Sequence, residues 1–341
     1  MIRRLSLLLL LLLLSACGKE PLYHEQAYVF GTLVDVSIYG LEDADARQAT
    51  RVVLHEFQRM NDQFHAWQPS ELSRLNAAFA QGKRMPVSPE LAEMLADATH
   101  YSVQSGGLFN PAIGGLIRVW GFQSDSFKAQ LPDAAAVTAL VAANPQMSDV
   151  LLAQGEAWSR NPAVQIDLGG YAKGYALDRA AKLLRERGVQ HALINIGGNI
   201  LALGQHGGRP WRVGIQHPRQ PGPLATLELH DGEAIGTSGD YQRFFEFGGK
   251  RYCHLIDPRT GQPQQSVQAV TVLTRGAQAG VASDVLSKPL FLAGTAAWAG
   301  VAKQMQVGEA MLIDERGRIH LTAALQKRLE FTTKQHPEVA P

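Results

Sequence analysis

The chain has little cysteine and no excess of charge, and we find no apolar run that is long enough to span a membrane. Two cysteines in 341 residues exclude a disulfide-stapled scaffold. Lysine and arginine number 32 against 31 aspartate and glutamate, a net charge of +1, which gives no reason to expect nucleic acid as a partner. The remaining class is a globular protein, long enough for one large domain or two small ones, whose stability comes from its core.

The N-terminus carries an export signal. Two arginines precede an almost pure leucine run, residues 5–14, which is too short to span a bilayer and ends in Leu-Ser-Ala-Cys17. This ending resembles a bacterial lipobox, so we predict a signal peptide at 1–16 and a lipid on Cys17; an ordinary cleaved signal is the alternative. The predicted mature protein lies at the periplasmic face of a bacterial membrane on a tether at 17–27. Cys253 is then its only thiol, and no intrachain disulfide is available.

The segment from Gln165 to Asp178 reads Q-I-D-L-G-G-Y-A-K-G-Y-A-L-D. An apolar approach at 164–168 predicts a buried strand, and the glycine pair after it predicts a turn. Helical spacing of apolar residues begins at Tyr171. A further strand is predicted at 192–196, ending at a second glycine pair. The pattern indicates a βαβ unit at the centre of the chain.

The first glycine turn of this unit has the features of an anion-binding site. Glycines let backbone N–H groups approach an anion, and the helix N-terminus that follows adds partial positive charge. Asp167 lies at the end of the predicted strand and Lys173 in the first helical turn. Tight packing of strand against helix explains the same glycines without a ligand, so both interpretations stay open. The spacing is not G-x-G-x-x-G, which disfavours a Rossmann NAD site.

The whole pattern predicts the α+β class: a single compact body with two possible lobes, in which mixed sheets are packed by helices. We place this body at 28–325 and a loose polar tail at 326–341. Apolar steps of three and four residues predict the helices, and alternation predicts the strands. In chain order the predicted elements are a strand at 28–39, helices beginning near 43–45 and at 88–90, an alanine-rich helix at 132–143, mostly β structure over 211–272, helices at 277–292 and 295–305 with a bend at Pro289, and closing strands at 310–313 and 318–321.

Two further groups of residues could carry chemistry. His254 lies on a predicted strand and Asp257 in the turn after it, where they could bind phosphate or move a proton. A structural histidine and an Asx-type turn are the simpler interpretation. Asp284 and Lys288 lie four residues apart on one face of a predicted helix, which is the spacing of an ordinary intrahelical ion pair. Their neighbours are apolar, however, and charged residues beside a core usually have an assigned partner.

Taken together, these motifs resemble the ApbE family, the FAD:protein FMN transferases of bacterial periplasms. The resemblance extends from Phe30 to about Leu321, and the lipoprotein signal also suits the family. No single motif is specific for the family, but the occurrence of nine motifs in the family's order is. They are F-G-T at 30–32, S-E-L-S-R-L-N after Trp67, G-L-F-N-P-A-I-G at 107–114, W-G-F at 120–122, the central D-L-G-G-Y-A-K-G-Y-A-L-D, N-I-G-G-N at 195–199, G-T-S-G-D-Y at 236–241, H-L-I-D-P-R-T-G at 254–261 and S-D-V-L-S-K-P-L-F at 283–291.

The resemblance implies a T-fold-like ApbE domain, a reaction and a set of site residues. In the implied reaction FAD is split at its pyrophosphate and FMN passes to a threonine hydroxyl of a partner protein, leaving AMP. The acceptors are typically subunits of membrane redox complexes. His254 and Asp257 match a segment near the reacting phosphates, and either could serve as the base. The positions that match FAD-binding residues of the family are Phe30, Trp67, Leu108, Phe109, Asn110, Asp167, Lys173 and Ile256.

The chain departs from the family at the implied Mg²⁺ site. Gly170, through its backbone carbonyl, and Asp284, through its carboxylate, match the metal ligands, but the usual threonine four residues after that aspartate is Lys288. An ammonium cannot ligate Mg²⁺, and its charge opposes a nearby cation. Ser287 and Asn110 stand where other members carry acids, which lowers the negative charge further. Our hypothesis is that the Lys288 ammonium replaces the divalent ion, in part or entirely, against the FAD phosphates.

Three functions remain open from the sequence. FMN transfer is the leading interpretation. The alternatives are a catalytically weak FAD-binding lipoprotein, which Lys288 favours, and an enzyme that hydrolyses FAD to FMN and AMP. Flavin attached to an acceptor, bound FAD alone, or free FMN formed without an acceptor would distinguish the three.

Overall fold

The computed structural model describes residues 22–124, 126, 128–333 and 336–340 of the chain. The predicted signal peptide and Cys17 lie outside these residues. The helices are α1 (Asp43–Phe64), α2 (Glu71–Ala80), α3 (Pro89–Gln104), α4 (Gly114–Val119), α5 (Ala134–Ala143), α6 (Ala172–Glu186), α7 (Ala279–Gln304) and α8 (Ala323–Gln326). The strands are β1 (Leu22–Val29), β2 (Thr32–Tyr39), β3 (Met85–Pro86), β4 (Val150–Ala153), β5 (Glu156–Ser159), β6 (Ala192–Ile196), β7 (Asn199–Leu203), β8 (Trp211–Gln216), β9 (Pro223–Leu229), β10 (Glu233–Gly239), β11 (Phe244–Phe247), β12 (Lys250–Cys253), β13 (Ile256–Asp257), β14 (Gln262–Pro263), β15 (Val267–Arg275), β16 (Ala310–Asp314), β17 (Ile319–Thr322), β18 (Glu330–Phe331) and β19 (Glu338–Ala340).

One nine-stranded sheet organises these elements, in the order β1-β2-β6-β7-β10-β15-β16-β17-β19. Its pairings are antiparallel except for β17 with β19, which are parallel. Smaller sheets are formed by β18-β9-β8, β3-β5-β4, β11-β12 and β13-β14. Helices and mixed sheets in one body confirm the predicted α+β class.

The middle of the sheet is buried on both faces: β15 and β16 are buried at almost every position, and successive residues of a strand point to opposite sides. In β15, Val270 and Val272 pack with α7 residues such as Phe291. Ala269 and Leu273 of the same strand pack in a second cluster with β8 and β9. Helices therefore cover one face and the small β18-β9-β8 sheet covers the other.

Both ends of the described chain differ from the prediction. β1 begins at Leu22, so the second half of the predicted tether at 17–27 is a strand paired with β2. The predicted loose tail at 326–341 contributes β18, which pairs with β9, and β19, which pairs with β17. The single strand predicted at 28–39 is also a hairpin, because Phe30 and Gly31 both have positive φ (56° and 69°), as a two-residue type I′ turn requires.

The predicted βαβ unit is wrong in its first strand. Residues 164–168 are extended, with Val164, Ile166 and Leu168 buried, but they pair with no strand of the sheet. Their backbone groups are satisfied elsewhere: Gln165 and Asp167 donate to the carbonyls of residues 112 and 111, and Ile166 exchanges two hydrogen bonds with the Asn76 side chain. The alternation of apolar residues predicted correctly which side chains are buried, but it could not predict which groups the backbone hydrogen bonds go to.

Helix α7 is the longest buried helix of the fold. The two helices predicted at 277–292 and 295–305 are confirmed: α7 consists of two helical stretches that meet at Gly294, whose backbone (φ 72°, ψ 172°) is not helical. The non-helical residue is thus Gly294 rather than the predicted bend at Pro289. The sequence analysis found no apolar run of membrane-spanning length, but among the described residues α7 alone is long and apolar enough by length and composition. Half of that apolar window is buried inside the protein. It is a core helix of this fold.

Helices α6 and α7 meet backbone to backbone. A Cβ at Gly174 would lie 2.4 Å from the Gly280 oxygen, and one at Gly280 would lie 2.5 Å from the Gly174 oxygen. Asp178 of α6 accepts the N–H groups of Gly280 and Val281, each at 2.8 Å, and so caps the start of α7. This contact sets the position of α7 and of the charged residues one turn further along it.

Gly174→Ala tests the contact. Its methyl group would press on backbone atoms that have no rotamer to change, so we expect a loss of about 1–3 kcal/mol in the free energy of unfolding. Gly300→Ala is the matched control: it lies on α7, and nothing lies within 4 Å of a Cβ there. It should be neutral or stabilising by about 0.4–1 kcal/mol. Urea unfolding of both variants measures the difference; equal effects would contradict the packing described.

Candidate active site

Asp284 and Lys288 form a buried ion pair on α7. Lys288 Nζ donates to Asp284 Oδ1 at 2.6 Å and to the backbone oxygen of Asp284 at 2.7 Å. Asp284 Oδ2 accepts the Gly174 N–H at 3.0 Å. The Asp284 side chain is 2% exposed and that of Lys288 13%. Burial opposes ionisation, but the ammonium groups of Lys288 and Lys173 hold the pKa of Asp284 below its ordinary value.

The glycine turn closes over the lysine of this pair. A Cβ at Gly170 would lie 2.7 Å from Lys288 Cε, 3.0 Å from Lys288 Cδ and 3.6 Å from the Phe109 ring. A larger residue at 170 would displace the lysine stem or the ring. One site therefore contains four of the predicted residues. They are the metal residues Gly170 and Asp284, the catalytic residue Lys288 and the flavin contact Phe109.

Asp167 links this turn to an aromatic side chain. Its Oδ2 accepts the Trp67 indole N–H at 3.1 Å, and its Oδ1 accepts the Gly169 N–H at 2.8 Å. Lys173 Nζ donates to the Gly169 carbonyl at 3.4 Å. Trp67 is half-buried, so part of its ring remains free to cover a flat ligand. The structure thus brings together three of the predicted FAD contacts.

His254 lies at the end of β12, where Arg243 holds its ring. His254 Nδ1 lies 3.2 Å from the Arg243 carbonyl, which can only accept, so Nδ1 carries the proton and Nε2 keeps a lone pair. Burial and the charges of Arg243 and Lys173 lower the pKa of His254 to about 3. The imidazole is therefore neutral at physiological pH, the form in which it can accept a proton.

Asp257 does not pair with His254. Its carboxylate is held by Arg259, which donates Nε at 2.9 Å and Nη2 at 2.6 Å, and by the Arg259 backbone N–H at 2.9 Å. The Asp257 backbone oxygen accepts from Thr260 and Gly261, which closes the turn. His254 and Asp257 therefore have separate partners although they are three residues apart in sequence. Because Arg259 occupies the Asp257 carboxylate, the geometry favours His254 as a base.

The other predicted flavin contacts are mostly buried. Leu108 is 8% exposed and Phe109 4%, whereas Phe30 is half-buried with its ring 5.7 Å from that of Phe57. Ile256 is 3% exposed and lies in a different apolar cluster, with Trp120. Phe109 thus lies beside the glycine turn. Ile256 instead packs in the cluster that includes Phe245 and Tyr252 of the β11-β12 hairpin.

Asn110 has a structural reason to be an amide. Its Nδ2 donates to the Pro145 carbonyl at 2.9 Å, and its Oδ1 accepts the Ala112 N–H at 3.1 Å. The residue is 7% exposed. An aspartate has no donor for that carbonyl, so it would leave two buried oxygens facing each other.

The residues present do not fit a divalent ion at Asp284. Both carboxylate oxygens and the backbone oxygen already accept from protein donors, one of them an ammonium. Mg²⁺ requires about six oxygen ligands in near-octahedral order, and an ammonium repels it. Across the described ranges, no three His, Cys, Asp or Glu side chains are grouped so that they could hold a metal ion.

Sequence reasoning missed two supporting residues. Asp178 ends the central motif and caps α7, which only the packing of the two helices shows. Burial raises the pKa of Asp178 to about 6, against the two N–H groups that lower it. Ser238 on β10 is bonded to Ser287 on α7, Oγ to Oγ, at 2.7 Å. Ser238 lies within G-T-S-G-D-Y, and that motif is the only signal the sequence offers for it.

The neutral state of His254 can be tested through stability. The unfolded chain takes up a proton at this residue near pH 6.5 and the folded protein only near pH 3, so the lowered pKa makes folding less stable as pH falls below 6.5. We expect the Tm of His254→Asn to fall less than the wild-type Tm between about pH 7 and pH 5. The asparagine N–H can replace Nδ1–H toward Arg243. His55→Asn, an exposed position on α1, is the control, and a parallel shift of both variants would contradict the prediction.

Comparisons with known proteins agree with this architecture. The ApbE family model matches residues 30–312. An FAD:protein FMN transferase of Rhodobacter capsulatus is 42% identical over 313 residues, which are 92% of this chain and 59% of that protein, so the chain spans about three-fifths of its length. One from Klebsiella pneumoniae is 29% identical over 324 residues, 92% of this chain and 96% of that protein.

Solved structures show the same fold. An ApbE protein from Thermotoga maritima superposes with a TM-score of 0.82 at 26% identity, covering 92% of this chain and all of that one. The apo flavinyl transferase ApbE of Pseudomonas stutzeri gives 0.79 at 26% identity, covering 93% and 99%. The chain belongs to the ApbE family.

Proposed function

We propose that this protein transfers FMN from FAD to a threonine hydroxyl of a partner protein and releases AMP. Its relatives are named FAD:protein FMN transferases, and the match spans nearly all of the described chain. The observation that carries the proposal is the convergence of the 169–170 turn, Lys173 and the Asp284–Lys288 pair at one half-buried place. The ammonium groups of Lys173 and Lys288, balanced by the carboxylates of Asp167 and Asp284, provide charged N–H donors suited to a pyrophosphate.

The reaction follows from these groups. The threonine Oγ forms a bond to the phosphorus of the FMN half, the bond from that phosphorus to the bridging oxygen breaks, and AMP leaves with the oxygen. His254 Nε2 takes the hydroxyl proton. Lys173 and Lys288 neutralise charge on the phosphate oxygens, while Asp167 holds the glycine turn and Trp67 in place. No step is assigned to Mg²⁺, because the donor set at Asp284 does not fit it.

The same phosphates improve His254 as a base. Positive charges contribute to its low pKa in the free protein. A bound dianion offsets those charges, which raises the pKa of the imidazole and strengthens its affinity for the threonine proton. Binding of FAD thereby prepares the proton acceptor for the transfer.

Localisation and partner complete the proposal. The leucine run and Cys17 support a lipid anchor at the periplasmic face of a bacterial membrane. An acceptor at that surface is most simply a subunit of a membrane redox complex that carries the flavinylated threonine. Tethering both proteins to one membrane raises their effective concentration.

The activity is tested by incubating the purified protein with FAD and an acceptor domain containing a flavinylation threonine. Transfer predicts flavin fluorescence on the acceptor band after denaturing electrophoresis, and one AMP per flavin attached. Free FMN formed equally with and without acceptor would show a pyrophosphatase instead. Bound FAD without either product would show the storage protein.

The two candidate bases separate in the same assay. His254→Asn should lower kcat for transfer by about 10²–10⁴-fold while FAD still binds. Asp257→Asn breaks the contact with Arg259 and should lower the Tm of the protein, with a smaller loss of kcat. The reverse order of the two kcat values would assign the base to Asp257.

Anchoring is tested with Cys17→Ala in the full-length chain expressed in a bacterium that processes lipoproteins. The wild type should sediment with membranes and incorporate labelled palmitate. The variant should incorporate none and be recovered in part from the soluble periplasmic fraction. Palmitate labelling of the variant would contradict the predicted lipidation site.

A further inference from the structure

Lys288 fills the place where a cation would lie against Asp284. Two of the three N–H donors on its ammonium are used by Asp284, one by Oδ1 and one by the backbone oxygen. Within the part of the chain that the structure describes, no protein acceptor takes the third. The side chain is 13% exposed, so this donor lies near the surface of the site rather than in the core.

The surrounding chain is shaped around the lysine. Gly170 packs on Cε and Cδ of its stem, with no space for a Cβ. The second carboxylate oxygen of Asp284 is held by the Gly174 N–H, which fixes the carboxylate so that Oδ1 faces the ammonium. An accidental surface lysine would have neither a fitted stem nor a preset counter-ion.

We propose that the Lys288 ammonium is the resident cation of this site and that the protein binds FAD without a divalent metal ion. The third N–H donates to a pyrophosphate oxygen, while Lys173 supplies a second positive charge from the glycine turn. The identity of the ligand rests on the proposed function, whereas the exclusion of a metal at Asp284 does not.

The charge balance supports this assignment. A divalent ion at Asp284 beside Lys288 would bring three positive charges against one carboxylate, in a site with little water to screen them. Without the ion, Lys288 balances Asp284, and its third N–H can give the phosphate a charged hydrogen bond.

Metal binding is measured first, without FAD. Mn²⁺, a paramagnetic stand-in for Mg²⁺, is titrated into the apoprotein and its free concentration is followed by electron paramagnetic resonance. The wild type should show no stoichiometric site. Lys288→Thr frees Asp284 and adds a hydroxyl oxygen, so it should gain about one site, which the double variant with Asp284→Asn should lose. Lys303→Thr, an exposed position on the same helix, is the matched control and should gain none.

FAD binding is measured next, by flavin fluorescence in EDTA and then in excess Mg²⁺. Wild-type affinity should be unchanged between the two. Lys288→Thr should bind at least about tenfold more weakly in EDTA, the equivalent of one charged hydrogen bond, and recover in Mg²⁺. Lys288→Met keeps an unbranched stem against Gly170 and should show the same loss in EDTA, which separates lost charge from lost packing. Thermal melts confirm that each variant is folded.

Two results would overturn the proposal: one Mn²⁺ site in the wild type that Asp284→Asn removes, or a tenfold loss of wild-type FAD affinity in EDTA. These outcomes are distinct from failure of the proposed function. FAD binding without metal, but with no flavin attached to any acceptor, would contradict the transferase activity and support Lys288 as the resident cation. Transfer to an acceptor together with either of those two results would keep the transferase and reject Lys288 as the resident cation.

Discussion

The contact between α6 and α7 is the constraint on which the site depends. At Gly174 and Gly280 the two backbones touch, and Asp178 anchors the first N–H groups of α7 to α6. Neither helix can slide or rotate without a clash or an uncapped helix end. The Gly174 N–H consequently faces Asp284, one turn along α7. Two glycines and one carboxylate thus determine where the charged residues of the site lie.

Electrostatics explains why the site is ready for an anion. A buried carboxylate alone would be unstable, and Asp284 is stabilised by the Lys288 ammonium and by one N–H. That pair is nearly neutral. Burial is the main reason that the pKa of His254 is low, and the charges of Arg243 and Lys173 lower it further. In the proposed reaction, a phosphate ligand offsets these positive charges and so raises the pKa of His254. In that reaction, charge couples the binding of FAD to the acceptance of the threonine proton.

The chain also shows how a motif can mislead about partners. His254 and Asp257 look like an acid–base pair in the sequence, yet Asp257 is bound by Arg259 and His254 by the Arg243 carbonyl. The chain bends at His254 and the turn begins at Asp257, so closeness in sequence does not become closeness of side chains. The segment at 164–168 misled in a similar way. Its alternation is real, but its backbone partners are a loop and the Asn76 side chain rather than a strand.

Local chemistry in the sequence was sufficient for the α+β class, most helix and strand positions and the family, because periodicity, turn residues and ordered motifs are local signals. It also placed Lys288 four residues after Asp284, where one helical turn makes an ion pair possible. Only the tertiary structure decided that this pair is buried and that Gly170 closes over it. It alone showed that Asp178 caps α7 and that all three oxygens of Asp284 are occupied. Those facts depend on contacts between segments far apart in the chain, which no local pattern encodes.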